Sequence, residues 1–131
     1  MTNERWLIDT DVIIDHLRGI PDAQDFLENV MGKSDCFLST ITIAELYVGV
    51  REGKERKILD QFINEFQVAT IDAKTAQQSG IYRRDYGKSH GVGLADAIIA
   101  ATAMIMDLSL VTLNKKHYPM LKKIHTPYHK K

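Results

Sequence analysis

Short apolar runs alternate with stretches of helical spacing along this chain, and that alternation is its strongest constraint. Trp6-Leu7-Ile8, Cys36-Phe37-Leu38-Ser39, Gln67 to Ile71 and Leu108 to Leu113 read as strands, with Lys123 to Thr126 as a further candidate. Between them lie helical stretches at Val12 to Arg18, Asp22 to Val30, Ile41 to Val50, Lys54 to Phe66, Ala73 to Ser89 and Leu94 to Asp107. Lys115 to Lys122 reads as a short helix. Thr10 or Asp11 is expected to cap the first helix, Thr40 the third and Asp72 the long helix that follows it. The Leu94 stretch is apolar nearly all round, so it should be buried on several sides. Strands that alternate with helices pair in parallel, because each helical crossover returns the chain to the end of the sheet where the previous strand began. The expectation is an α/β fold of three layers: a central, mostly parallel twisted sheet of four or five strands, flanked by helices. With no linker or repeat, it forms a single domain over residues 1–131.

A chain of 131 residues with 44% apolar content can bury a continuous core without staples. No apolar stretch approaches the roughly 20 residues of a membrane span, and Met1 to Arg5 lacks the pattern of a signal peptide. The one cysteine, Cys36, cannot form an internal disulfide. The expected location is the cytoplasm. Formal net charge is zero, but Asn114 to Lys131 holds six lysines, three histidines and no acid, while the first 35 residues are rich in acids. Such a tail suits either a polyanionic partner or a solvated C-terminus.

Three acids stand in the most apolar neighbourhoods. Asp9 follows Trp6-Leu7-Ile8, Glu45 is the only charged residue between Asp35 and Arg51, and Asp96 the only one between His90 and Asp107. A buried carboxylate needs a partner, a proton or a metal ion. Asp9 has a cap role open to it, and Asp96 suits the dipole of a first helical turn. Glu45 has the weakest structural role, with no basic residue within four positions. In the expected fold Asp9 sits at the carboxyl end of a strand and Asp96 at a helix start on the same rim. Glu45 lies about one turn inside the helix after Ser39, so the three can converge. Oxygens clustered without neighbouring His or Cys suit a hard cation, Mg²⁺ or Mn²⁺. Such an ion offsets the repulsion between the acids, binds a phosphate oxygen and lowers the pKa of an attacking water.

Four pieces in series resemble the PIN domain, in particular the toxin half of VapBC toxin–antitoxin systems. They are Leu7-Ile8-Asp9-Thr10-Asp11-Val12-Ile13-Ile14-Asp15, Ile41-Thr42-Ile43-Ala44-Glu45-Leu46-Tyr47-Val48-Gly49, Leu94-Ala95-Asp96-Ala97-Ile98-Ile99-Ala100-Ala101-Thr102-Ala103, and Leu110-Val111-Thr112-Leu113-Asn114. The resemblance implies a metal-dependent endoribonuclease that cleaves structured RNA and leaves a 3′-hydroxyl and a 5′-phosphate. It makes Asp9 and Asp96 the Mg²⁺ ligands, with Mn²⁺ as a substitute, and Glu45 the second acid that holds the metal or its water. Thr112 and Asn114 match the last motif, Thr112 supporting the site through its hydroxyl. Asp11 is read as a helix N-terminal residue. Members often carry a further aspartate in or after that motif, whereas this chain runs Thr112-Leu113-Asn114-Lys115-Lys116-His117-Tyr118. The missing acid favours one metal ion over two. A VapB-type antitoxin and a homodimer are the implied partners. Arg83, Arg84, Lys88 and the tail lysines become candidate contacts for RNA phosphates, which position without specifying.

His90, His117, His125 and His129 show no metal-ligand spacing and are expected at the surface; Tyr47, Tyr82 and Tyr86 are expected in core or interface. The main rival is a non-catalytic PIN-fold interaction module with a degenerate acidic site. The missing fourth acid favours it, and the retained Asp9, Glu45 and Asp96 oppose it. Asp9-Thr10-Asp11 also resembles the Asp-x-Asp opening of haloacid-dehalogenase-type phosphatases, which need a paired acidic motif and a longer chain. His90-Gly91-Val92-Gly93 has neither the Lys-Ser/Thr pair nor the preceding strand of a phosphate loop.

Overall fold

The protein is described by a computed structural model over residues 4–129. Among these residues five strands form one sheet: β1 (Arg5–Ile8), β2 (Asp35–Ser39), β3 (Gln67–Ala69), β4 (Ser109–Val111) and β5 (Ile124–His125). Their order is β3-β2-β1-β4-β5, and every neighbouring pair is parallel. The helices are α1 (Thr10–Leu17), α2 (Pro21–Val30), α3 (Thr40–Val48), α4 (Lys54–Ile63), α5 (Ala73–His90) and α6 (Leu94–Met106). None of them is long and apolar enough to cross a membrane. The expected α/β architecture is present, with a sheet that is wholly parallel.

Side-chain alternation along the strands divides the core into two layers. Ile8, Cys36, Leu38 and Val111 face one side, where Val12, Ile13, Leu27, Leu46 and Leu59 from α1 to α4 cover them. Leu7, Phe37 and Leu110 face the other, against Ile99, Ala100 and Ala103 of α6. Small residues on α6 let that helix lie close to the sheet. Its burial is one-sided at the ends, since Leu94 and Met104 are exposed.

The first strand and the first helix meet without a loop, and here the structure corrects the expected caps. Asp9, in extended backbone, is itself the N-cap, so α1 starts at Thr10 rather than Val12. Ser39 likewise caps α3 in place of Thr40, its hydroxyl accepting the Ile41 N–H. Asp72 caps α5 as expected, accepting the Thr75 N–H at 2.8 Å. The helix expected over Lys115 to Lys122 is a single 3-10 turn, Lys115–His117. Pro119 disfavours helical backbone at Tyr118, and the Tyr118 ring turns inward to join the second core layer.

Because β1 and β4 are both central, truncating their side chains is expected to be costly. Leu110→Ala should destabilise the protein by about 3 kcal/mol through lost burial and the cavity it leaves. Val48→Ala, at a side chain 88% exposed, should change stability by less than about 0.5 kcal/mol. Urea denaturation of the two variants checks the contrast.

Candidate active site at the end of the first strand

Parallel strands bring the residues that follow β1, β2 and β4 to one rim of the sheet. Asp9 leaves β1 there, and its backbone N–H still completes the ladder to the Val111 carbonyl at 2.9 Å. The residue is only 6% exposed, and its carboxylate is held by three donors. The Thr10 N–H reaches Oδ1 at 2.8 Å, and the hydroxyls of Thr112 and Tyr118 reach Oδ2 at 2.8 and 2.9 Å. Burial pushes the Asp9 pKa up, these hydrogen bonds pull it down, and the neighbouring Asp96 carboxylate adds a further upward push.

Asp96 lies in the first turn of α6, where Oδ2 accepts the Gly93 N–H at 3.4 Å. The Tyr118 hydroxyl stands 3.4 Å from its Oδ1, and His117 Nδ1 stands 3.4 Å from its Oδ2. Asp9 and Asp96 therefore share one phenol between them. His117 was expected at the surface; it is half-buried instead, with Nδ1 also 3.0 Å from the Asn114 side-chain nitrogen. Asn114 reaches the site indirectly, through this contact and through its N–H, which donates to the Thr112 hydroxyl at 3.0 Å.

Asp11 enters from the first turn of α1. Its Oδ2 accepts the Leu113 N–H at 3.2 Å, which ties α1 to the segment after β4. Its Oδ1 is buried and has no hydrogen-bond partner among the described residues. Burial, then repulsion from Asp9, pushes its pKa up to about 7. Asp15, buried one turn further on, accepts the Tyr128 hydroxyl at 2.8 Å.

Glu45 departs from the expectation of a carboxylate in an apolar setting. It is exposed, and Oε1 accepts the Thr10 hydroxyl at 2.8 Å. That hydroxyl also lies 3.0 Å from Thr42 Oγ1, so Thr10 links the Asp9 end of β1 to the second acid. Beside Glu45 a cleft of about 380 Å³ opens between α1, α3 and α4, lined by Ile14, Leu17, Arg18, Leu46, Glu55 and Ile58 among others. Among the described residues no group of three or more acid, histidine or cysteine side chains is gathered closely enough to hold a metal ion between them. The donors are nonetheless all oxygen, in two adjacent carboxylates and one orphaned carboxylate oxygen. That set fits Mg²⁺, which keeps several waters and takes one or two carboxylates.

The other residues of interest lie apart from this centre. Arg83, Arg84 and Lys88 are exposed on α5, Arg84 pairing with Asp85 at 2.9 Å. Lys123 pairs with Asp107, while the tail lysines Lys130 and Lys131 lie outside the described residues. His125 packs on the Trp6 and Phe26 rings, and the hydroxyl of Tyr47 bonds Asp60. Tyr82 packs against the second core layer. His117 and Tyr118 join the site without a motif of their own; the signal they carry in the sequence is their position just after Thr112 and Asn114.

Comparison with known proteins agrees with this architecture. The PIN domain family profile matches residues 6–122. Ribonuclease VapC10 of Mycobacterium tuberculosis is 37% identical over 123 residues, spanning 93% of this chain and 92% of that protein. Ribonuclease VapC19 of the same organism is 36% identical over 124 residues, spanning 93% and 98%. Among solved structures, a toxin–antitoxin complex from Klebsiella pneumoniae superposes with a TM-score of 0.80 at 29% identity, covering 95% of this chain and 98% of that one.

The raised Asp11 pKa has a consequence for stability. Between its ordinary value of 3.8 and about 7, the folded protein holds a proton that the unfolded chain has already released. Stability without divalent cations should therefore fall as pH rises through that window. Asp11→Asn should stabilise the protein at pH ~7.5 by about 1–2 kcal/mol, with the difference shrinking towards pH ~4. Chemical denaturation at both pH values in EDTA reads this out; equal differences at the two pH values would contradict it.

Proposed function

The chain belongs to the PIN domain family, and from that membership we propose that it is a divalent-metal-dependent endoribonuclease, the toxin component of a VapBC-type system. The observation that carries this reading is the juxtaposition of Asp9 and Asp96, delivered by a strand end and a helix start onto one hydroxyl. Two carboxylates so close repel each other, and a cation relieves that repulsion. Support for ribonuclease activity comes from the relatives named as ribonucleases at 36–37% identity.

Asp9 and Asp96 would hold the ion, with Asp11 adjacent and Glu45 across the Thr10 hydroxyl. When bound, Mg²⁺ or Mn²⁺ supplies positive charge at the scissile phosphate and lowers the pKa of the attacking water. This chain's residues do the rest. The Thr10 N–H and the Thr112 hydroxyl fix the Asp9 carboxylate, so its oxygens need no reorientation. Asn114 holds Thr112 in place through its N–H. Glu45 has one oxygen on Thr10 and is otherwise open to solvent, so it orients the water and takes its proton. In-line attack forms the bond from water oxygen to phosphorus as the bond to the 3′-oxygen breaks. The products are a 5′-phosphate and, after proton uptake from solvent, a 3′-hydroxyl. Arg83, Arg84, Lys88, Lys115 and Lys116 are proposed to contact the RNA backbone electrostatically.

The proposed protein partner is a VapB-type antitoxin. The toxin–antitoxin complex from Klebsiella pneumoniae supports this, as does the apolar cleft that runs up to Glu45. A homodimer in the cytoplasm is proposed on the family resemblance.

Purified protein incubated with total RNA should give discrete fragments in Mg²⁺ or Mn²⁺ and none in EDTA. Asp96→Asn and Glu45→Gln should each lower the cleavage rate by at least about a hundredfold while the fold is retained, as expected for groups that act on the transition state. Full cleavage by Asp96→Asn would place the chemistry elsewhere.

A further inference from the structure

Tyr118 carries its ring in one environment and its hydroxyl in another. The ring is 1% exposed and packed in the apolar layer beneath the sheet, beside α6. The hydroxyl emerges from that layer between Asp9 Oδ2, at 2.9 Å, and Asp96 Oδ1, at 3.4 Å. Each carboxylate oxygen has about two acceptor directions. On Asp9 Oδ2 both are already taken, one by Thr112 and one by Tyr118. A cation drawn to this pair of carboxylates would therefore compete with the phenol for Asp9 Oδ2.

We propose that Tyr118 is a positioning residue whose hydroxyl holds the Asp9 and Asp96 carboxylates together when no cation is bound, and yields Asp9 Oδ2 to the divalent ion when one arrives. The inference rests on the metal-dependent reading above. Two opposed effects decide its sign. The hydroxyl pre-arranges the acids, which favours binding, and it competes for an acceptor, which opposes binding. Asp9 is fixed independently by the Thr10 N–H and by Thr112, and Asp96 by the Gly93 N–H. Pre-arrangement therefore survives without the phenol, and competition decides. Tyr118 sets the affinity of the site for its ion.

The test is Tyr118→Phe, which keeps the ring and deletes the hydroxyl. Without cations, in EDTA, the variant should melt lower than the wild type, because a buried carboxylate has lost a donor. Its affinity for Mn²⁺, measured by titration calorimetry or by the loss of the free-ion paramagnetic resonance signal, should rise about tenfold. A variant that merely loosened the fold would lower both quantities, so opposite signs are the signature. In the wild type, saturation with Mg²⁺ should give a tyrosine absorbance difference that Tyr118→Phe lacks. Should the variant not fold, the wild-type spectrum still tests the proposal, and no tyrosine signal at saturation overturns it. Equal or weaker Mn²⁺ binding in a folded variant also overturns it while leaving the metal-dependent reading intact. No Mn²⁺ binding by the folded wild type overturns both.

Discussion

The buried carboxylate of Asp9 is the interaction on which the rest of the arrangement depends. A charge at the end of a central strand is costly to desolvate unless donors surround it. The chain supplies them from three places: the first helical N–H, the threonine after β4 and the tyrosine beyond the 3-10 turn. The first follows β1 directly, and the other two come from the segment after β4. Satisfying one acid thus fixes the relative placement of β1, β4 and the segment after β4. Asp96 and Asp11 then stand close to a group that cannot move away, and burial first, with their mutual repulsion added, pushes the pKa of Asp9 and Asp11 up.

The sheet makes such a centre affordable. Strand alternation gives two apolar layers, one under α1 to α4 and one under α6, with Leu7, Ile8, Leu110 and Val111 of β1 and β4 fully buried. Asp9, Thr10, Ser39 and Thr112 are buried at the rim, where helices begin and their first N–H groups face the carboxylates. The same rim carries Glu45 on α3, joined to the centre through Thr10. Its exposure gives it a different chemistry from Asp9: one acid is held rigidly out of water, the other meets it.

Much of this was legible in the sequence. Trp6-Leu7-Ile8 before an acid, and Asp72 before a long helix, announced a strand end and a cap because both signals are local. The isolation of Asp96 within an apolar helix marked it for the same reason. Other features depend on contacts distant in sequence. Asp9 takes the cap role left open to it, in place of Thr10 or Asp11, because β1 runs straight into α1, a geometry set by the ladder to Val111. Glu45 looked buried because its sequence neighbours are apolar, yet a helix turns its faces, and this residue points outward over a cleft. His117 showed no ligand spacing along the chain. It approaches Asp96 only because Pro119 and the inward Tyr118 shorten the expected helix to one turn.

Asp9 and Asp96 are proposed to hold a cation between them, and anomalous diffraction from crystals grown with Mn²⁺ would locate it. One strong anomalous peak should lie within coordination distance of both carboxylates, with waters completing its shell. A well-ordered crystal whose Mn²⁺ peak lies away from that pair, or that binds none at saturating concentration, would contradict the proposal.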